Sequence, residues 1–429
     1  MIKRILFYIK EKSSHPGIKK HTKNIGWMML AKIGGMTISF IATAYIARNL
    51  GPINYGELSY AISFVMLFSF IASFGIDQIL YRDIILYPNK KNELLGSAIA
   101  LRLITSTFSI IITSIAVFLF SPRDVSFFLI FIISTSSLFG SFQLLSYEFQ
   151  AEVKAKYTSI LILIVTITLN IFKIMTIYFG GGIIYLATIV ILEPIFYSVG
   201  YLYLKNKIFF DLHLLKYTKE TTLRICKDSY PLIFASAFYV IYSRIDQVML
   251  KNMVNAKAVG LYDAAVRMSE VFYFIPQIIL MSLFTVIINS KKESNELYNK
   301  RSRKLFFFLV FLSFIIAITT TLISDKLIRI VFGQEFNESI SIFNIYIWSN
   351  VGAVLNMISQ QILVSENMTK YISITTFFGM TTNVLLNLIL IPIYGPHGAA
   401  VATLISYCIP FLSMLFFKKT RHLIKQVIF

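Results

Sequence analysis

Apolar residues run along this chain in long, nearly unbroken stretches separated by short polar connections. A helix crossing the hydrocarbon core of a bilayer needs about 20 mostly apolar residues. Twelve stretches reach that length: 24–47, 58–80, 96–119, 125–147, 158–179, 183–204, 231–250, 264–288, 305–324, 340–363, 371–393 and 397–417. The pattern predicts an all-α polytopic membrane protein of about 12 transmembrane helices. Two stretches are diluted: 340–363 by Asn344, Asn350, Asn356 and Gln360, and 264–288 by Arg267 and Glu270. Barrel strands would alternate over about 10 residues, and these runs do not. The longest connections are 205–230 and 289–304, too short for a soluble domain.

Composition agrees with this pattern. Of 429 residues 56% are hydrophobic and 14% charged, whereas ordinary soluble domains carry about 25% charged residues. The 39 Phe and 24 Tyr exclude a disordered chain. The net charge of +19 fits nucleic acid, a membrane surface or an anionic substrate, and its distribution separates these. With the N-terminus inside, 29 of the 40 Lys and Arg fall on the inner side and six on the outer side. The positive-inside rule then places both termini in the cytoplasm. The basic residues lie in separate short loops, so no compact nucleic-acid-binding face is expected. The first 23 residues resemble the charged start of a signal peptide, but Lys32 interrupts the apolar run that follows. An uncleaved first helix is expected, with residues 2–10 as an amphipathic segment on the membrane surface.

The chain also repeats itself weakly. Arg48 to Gly56, followed by Tyr60-Ala61, resembles Lys251-Asn252-Met253 leading to Val259-Gly260-Leu261-Tyr262 and Ala264-Ala265. Phe179-Gly180 with Leu186-Ala187-Thr188 resembles Tyr394-Gly395 with Val401-Ala402-Thr403, 215 residues later. Two pairs at corresponding turns point to a 6+6 duplication. Each half has an even number of helices, so the halves are expected as parallel bundles around a central cavity. The expected organisation is a basic N-terminal segment 1–23, a bundle 24–204, a cytoplasmic linker 205–230, a second bundle 231–417 and a basic tail 418–429. That arrangement suits an alternating-access transporter.

Motifs for catalysis are missing from the sequence. Cys226 and Cys408 make no metal or disulfide framework, the five His have no ligand spacing, and no phosphate-binding Walker loop occurs. No catalytic residue, metal or cofactor is expected, and the protein is expected not to be an enzyme. The remaining chemistry lies in the charges inside the spans. Each is costly there, about 2.5–3.5 kcal/mol by insertion scales, and is a functional candidate by default. Lys32, Arg102, Lys173, Arg244 and Arg267 form a sparse cationic ladder suited to an anionic headgroup such as a phosphate. Arg102 near the inner end can snorkel instead. Arg244 is the best single candidate for a substrate contact. Among the acids, Glu193, Asp246 and Glu270 are candidates for ion coupling, while Asp77 is expected to be a helix-end residue. Structural alternatives stay open: Glu193 pairing with Lys173, and Glu270 pairing with Arg267 at i,i+3.

The segments N-I-G-W-M-M-L-A-K-I-G-G-M (24–36), A-R-N-L-G-P-I-N-Y-G-E-L-S-Y-A (47–61) and S-F-G-I-D-Q-I-L-Y-R-D (73–83) resemble bacterial polysaccharide flippases of the Wzx type. So do Y-S-R-I-D-Q-V-M-L-K (242–251) and A-V-G-L-Y-D-A-A (258–265). These flippases belong to the multidrug/oligosaccharidyl-lipid/polysaccharide (MOP) exporter superfamily. The resemblance implies movement of an undecaprenyl-diphosphate-linked oligosaccharide across the bacterial inner membrane, for O-antigen or another surface polysaccharide. It also implies bilayer lipids and the polysaccharide polymerase machinery as partners. Substrate contacts would fall on basic cavity residues, mapped here to Lys32, Arg244, Lys173 and Arg267. The alternatives are a multidrug exporter of the same superfamily, a membrane glycan polymerase or ligase, and a lipid II flippase of the same superfamily, whose usual fourteen helices exceed the twelve stretches here. A cationic cavity argues against the first, and the short outer loops against the second.

Overall fold

The computed structural model of the chain describes residues 16–120, 124–210, 212–291 and 293–428. The expected surface segment 2–10 lies outside them. The described residues are helical, with no strand. In chain order the α-helices are α1 (Pro16–Leu67), α2 (Ser69–Ser73), α3 (Ile76–Leu86), α4 (Lys91–Phe120), α5 (Val125–Ser134), α6 (Ser136–Phe139), α7 (Ser146–Ala151), α8 (Ala155–Tyr178) and α9 (Ile183–Phe209). The remainder are α10 (Lys219–Met253), α11 (Ala256–Lys291), α12 (Asn295–Leu322), α13 (Ser324–Phe332), α14 (Ser339–Tyr346), α15 (Ser349–Ser365), α16 (Thr369–Tyr394), α17 (Pro396–Ser413) and α18 (Lys418–Ile428).

Among the described residues nine helices are long and apolar enough to cross a membrane, or ten with the bent pair α17–α18 taken as one. Two of the expected spans are not among them, for separate reasons. The 58–80 stretch is divided over α1, α2 and α3, because the helix breaks at Phe68 and again at Phe74–Gly75, where both residues have positive φ. The 231–250 stretch lies within α10 and carries Arg244, Asp246 and Gln247.

A helix broken at membrane depth must have its freed carbonyls satisfied. Here α4 supplies the donors. Thr105 Oγ1 donates to Ala72 O at 2.9 Å and Ser109 Oγ to Phe68 O at 3.0 Å. Arg102 donates to Asp77 at 2.9 Å, and Tyr147 OH donates to the same carboxylate at 3.1 Å. Arg102 and Asp77, taken singly from the sequence as a snorkelling and a helix-end residue, are therefore partners.

By contact the chain forms two compact units, each drawing on several segments. Among the described residues the first contains 16–43, Phe68–Leu119 and Leu129–Ile233. Its core joins Ile76, Leu80 and Ile84 of α3 to Leu94, Leu95 and Ala98 of α4, with Leu144, Tyr201 and Ile225. Beside it lies a buried ion network: Lys205 bonds Glu148 at 2.7 Å, both fully buried, and Lys91 reaches Glu148 and Glu152 at 2.9 Å. The Phe209 ring adds a cation–π face to Lys91, Lys154 and Lys205 at 4.1–5.6 Å. The connection after α9 is pinned to the same unit. Thr218 N donates to Ser97 Oγ at 3.1 Å, Thr218 and Thr221 donate to Glu93, and Arg224 bonds Asp83 at 3.0 Å.

The second unit contains Ala44–Leu67, Phe120–Phe128 and the chain from Phe234 onward. Within it α1 continues through Gly51, whose φ of 70° and ψ of 169° break the helix before Pro52. The next stretch of α1 crosses the start of α11 with almost no separation. A Cβ on Gly56 would overlap the Ala256 carbonyl oxygen and lie 2.9 Å from Gly260 N. A Cβ on Gly260 would overlap the Pro52 carbonyl oxygen and lie 3.2 Å from Gly56 N. The contact is reciprocal and joins two of the segments that resemble each other in sequence. Only glycine at both positions permits it.

Gly56→Ala and Gly260→Ala are each expected to cost about 1–3 kcal/mol through overpacking, read as a lowered thermal midpoint of the detergent-solubilised protein. Gly26→Ala, where no atom lies within 4 Å of the added Cβ, should leave the midpoint unchanged or slightly raised. Equal midpoints in all three variants would contradict the close crossing.

Candidate functional site

The glycine crossing places polar side chains of α1 against those of α10 and α11 in the second unit. Tyr55 OH donates to Asp263, and Ser59 Oγ donates to the same Oδ2 at 3.1 Å. Gln247 Nε2 donates to Asp263 Oδ1 at 2.7 Å and accepts from Ser63. One turn further along α11, Arg267 Nε lies 3.5 Å from Asp263, and its Nη1 lies 3.4 Å from Glu270. The Arg267–Glu270 pair raised from the i,i+3 spacing is thus present, with Asp263 as a third member. At the end of α10, Lys251 pairs with Glu57 and, at 2.8 Å, with Asp124. Burial works to raise the Asp124 carboxyl, but its bonds to Lys251 and Ser126 prevail and hold it below the ordinary range.

Arg244 and Asp246 project to different faces of α10, as their spacing of two dictates. Arg244 lies within electrostatic reach of Asp263, and its buried Nε has no hydrogen-bond partner among the described residues. Asp246 turns instead toward α11, α16 and α17. It accepts from Tyr262 OH at 2.6 Å, from Thr403 Oγ1 at 2.7 Å and from Asn387 Nδ2 at 2.5 Å. Asn387 also donates to Asn383 Oδ1 at 3.1 Å, while its own Oδ1 is buried without a partner. Tyr262 packs edge-on against Tyr346, and Tyr242 lies 5.0 Å from Tyr407, giving this pocket of polar groups aromatic neighbours. Asp246 is buried and forms no ion pair among the described residues.

The remaining sequence candidates lie in the first unit. Lys173 and Glu193 face each other at 3.8 Å across α8 and α9, the pairing raised as a structural alternative. Lys32 is exposed on α1. Among the described residues no group of three or more His, Cys, Asp or Glu could hold a metal. Within the second unit the structure therefore brings Arg267 and Glu270 together around Asp263, with Arg244 near by, and gives Asp246 separate partners.

Several of these residues are not singled out in the sequence. Asn383 and Asn387 are an i,i+4 polar pair inside an apolar stretch, a spacing that puts both on one helix face. Asp263 and Arg267 carry the same signal, hidden because Asp263 falls just outside the expected 264–288 span.

With this geometry in place, comparison with known proteins decides the family. Residues 21–289 match the polysaccharide biosynthesis protein family. The chain belongs to that family. Residues 231–389 also match the MatE family. Among relatives, a probable low-salt glycan biosynthesis flippase of Haloferax volcanii is 24% identical over 89% of this chain and 80% of its own. The capsular polysaccharide biosynthesis protein CapF of Staphylococcus aureus is 22% identical over 92% of this chain and 99% of its own. The fold is similar to that of a multidrug resistance MATE transporter of the MOP superfamily in an inward-facing conformation, with a TM-score of 0.72 at 13% identity over 91% of this chain and 95% of that one. It is equally similar to the lipid II flippase MurJ in an inward closed conformation, with a TM-score of 0.72 at 17% identity over 94% and 90%. This polysaccharide biosynthesis family member thus has the fold of MOP-superfamily transporters.

Asp263→Asn is expected to cost about 3 kcal/mol by removing the buried carboxylate that pairs with half-buried Arg267, whereas Tyr55→Phe should cost only about 1 kcal/mol for a lost hydrogen bond. Thermal midpoints in detergent check the order. A larger loss for Tyr55→Phe would show that the carboxylate is not the organising group.

Proposed function

We propose that the protein is a flippase that carries an undecaprenyl-diphosphate-linked oligosaccharide repeat unit across the bacterial inner membrane by alternating access, for O-antigen or another surface polysaccharide. Both termini are cytoplasmic in this reading, and the two six-helix halves are the moving parts. Family membership and the glycan-related names of the relatives support the class of cargo. The reciprocal Gly56–Gly260 contact supports the duplication. The observation that carries the reading is Arg244. Roughly 20 Å by helix rise from the start of the expected span at Pro231, it keeps a buried Nε unbonded beside Asp263 and Arg267. A diphosphate leaving water needs such donors, because an unpaired charge in an apolar medium is costly. Lys32 and Lys173 are the corresponding contacts in the first unit.

Coupling falls to Asp246. Glu193 and Glu270 already have Lys173 and Arg267 as counter-charges. Asp246 has only neutral donors, so its ionised form is uncompensated until a proton or small cation neutralises it. Asn383 Oδ1, the free Asn387 Oδ1 and Thr403 Oγ1 would complete an oxygen shell. The MatE match and the multidrug neighbour favour a second reading, a drug exporter, but Arg244 and Arg267 would repel a cationic drug.

Proteoliposomes loaded with a fluorescent lipid-linked oligosaccharide test both parts. Arg244→Ala and Lys32→Ala should slow translocation by roughly 10-fold or more, the value of a lost charge-assisted bond. Asp246→Asn should abolish the dependence on an imposed Na+ or pH gradient, each varied alone. Unchanged rates in both basic variants would remove the cationic pathway, and intact gradient dependence in Asp246→Asn would remove the coupling role.

A further inference from the structure

The last helix, α18, carries features that transport does not use. It leaves α17 at an angle of 104°, so beside a membrane-crossing α17 it runs nearly along the bilayer surface. Thr420 Oγ1 donates to Met414 O at 2.6 Å and Arg421 Nε donates to Leu415 O at 2.8 Å. These bonds satisfy carbonyls left open at the helix end and hold the elbow. Leu423 and Ile424 are buried in the same apolar cluster as Tyr298, Leu305 and Phe306 of α12.

This docking gathers basic groups at one end of the second unit. Lys418, Lys419, Arg421 and His422 are exposed on α18, and Lys300 and Lys304 are exposed, one turn apart, on α12. Glu293 and Glu296 are the exposed acids near the start of α12, and Glu366 is paired with Lys291 at 2.5 Å. Directly before the lysines, Phe416 is 80% exposed, and Leu412 and Leu415 are exposed with it. A soluble anion would satisfy the lysines but leave the phenyl ring in water. A bilayer interface takes both, the apolar groups among acyl chains and the cations among headgroups. We infer that α18 and the first turns of α12 form a binding surface for anionic phospholipid headgroups, with Phe416 seated below them.

The test is lipid selectivity of the full-length protein in nanodiscs containing spin-labelled phosphatidylglycerol or phosphatidylcholine, read as the motionally restricted fraction. Each lysine near an anionic surface contributes about fivefold in binding. The protein should therefore retain phosphatidylglycerol over phosphatidylcholine by about fivefold or more. Lys418→Gln with Lys419→Gln on α18, and separately Lys300→Gln with Lys304→Gln on α12, should each reduce that preference by at least about fivefold, two lysines being lost in each. Lys326→Gln, exposed on α13, should leave it unchanged. Equal retention of the two lipids, or an undiminished preference in both double variants, would overturn the inference. So would displacement of phosphatidylglycerol by equimolar polyprenyl phosphate, which would assign the surface to the transported lipid.

Discussion

The near-contact of two helix backbones at Gly56 and Gly260 is the constraint on which the organisation of the second unit depends. Each glycine meets a carbonyl four residues before the other, Ala256 for Gly56 and Pro52 for Gly260. No side chain fits between them. At that separation Tyr55, Ser59 and Ser63 meet polar side chains of α10 and α11. Asp263 and Gln247 consequently become the centre of a hydrogen-bonded network rather than a pair of isolated polar groups. Arg267 is fixed one turn along by the same carboxylate.

The charges inside the spans divide by partner. Arg102 with Asp77, Lys173 with Glu193, and Arg267 with Asp263 and Glu270 are compensated pairs. Such pairs are a weak source of stability, and their value lies in fixing geometry. Asp246 is different because its donors are neutral, and Arg244 is different because it forms no ion pair among the described residues, Asp263 lying only within its electrostatic reach. These two side chains stand two residues apart on α10 and turn to opposite faces. In the proposed reading one helix presents its anion contact on one side and its cation contact on the other, an arrangement suited to linking their movements.

Much of this was legible in the sequence, and the failures have physical causes. Continuous apolar runs identified the helices, and the two resembling segments around Gly56 and Gly260 proved to touch each other. The pairing of Glu193 with Lys173 and of Glu270 with Arg267 followed from hairpin and helix spacing. What the apolar pattern could not show was the break at Phe74–Gly75, where positive φ is stabilised by side chains of α4 distant in sequence. Asn383 and Asn387 were hidden because an amide pair barely changes the hydropathy of a span. Lys205 and Glu148 stand at helix ends that read as solvated loop, yet their mutual bond allows complete burial. The net charge of +19 was the least informative feature for function, since the expected topology assigns nearly all of it to the loops on the side of the termini.

The most direct test of the account is removal of the protein from its native host, followed by mass spectrometry of the lipid-linked glycans and of the cell surface. A flippase predicts complete lipid-linked repeat units accumulating in the membrane while the surface polysaccharide disappears. Single repeat units arriving at the surface would contradict it, because their crossing would have continued while polymerisation failed.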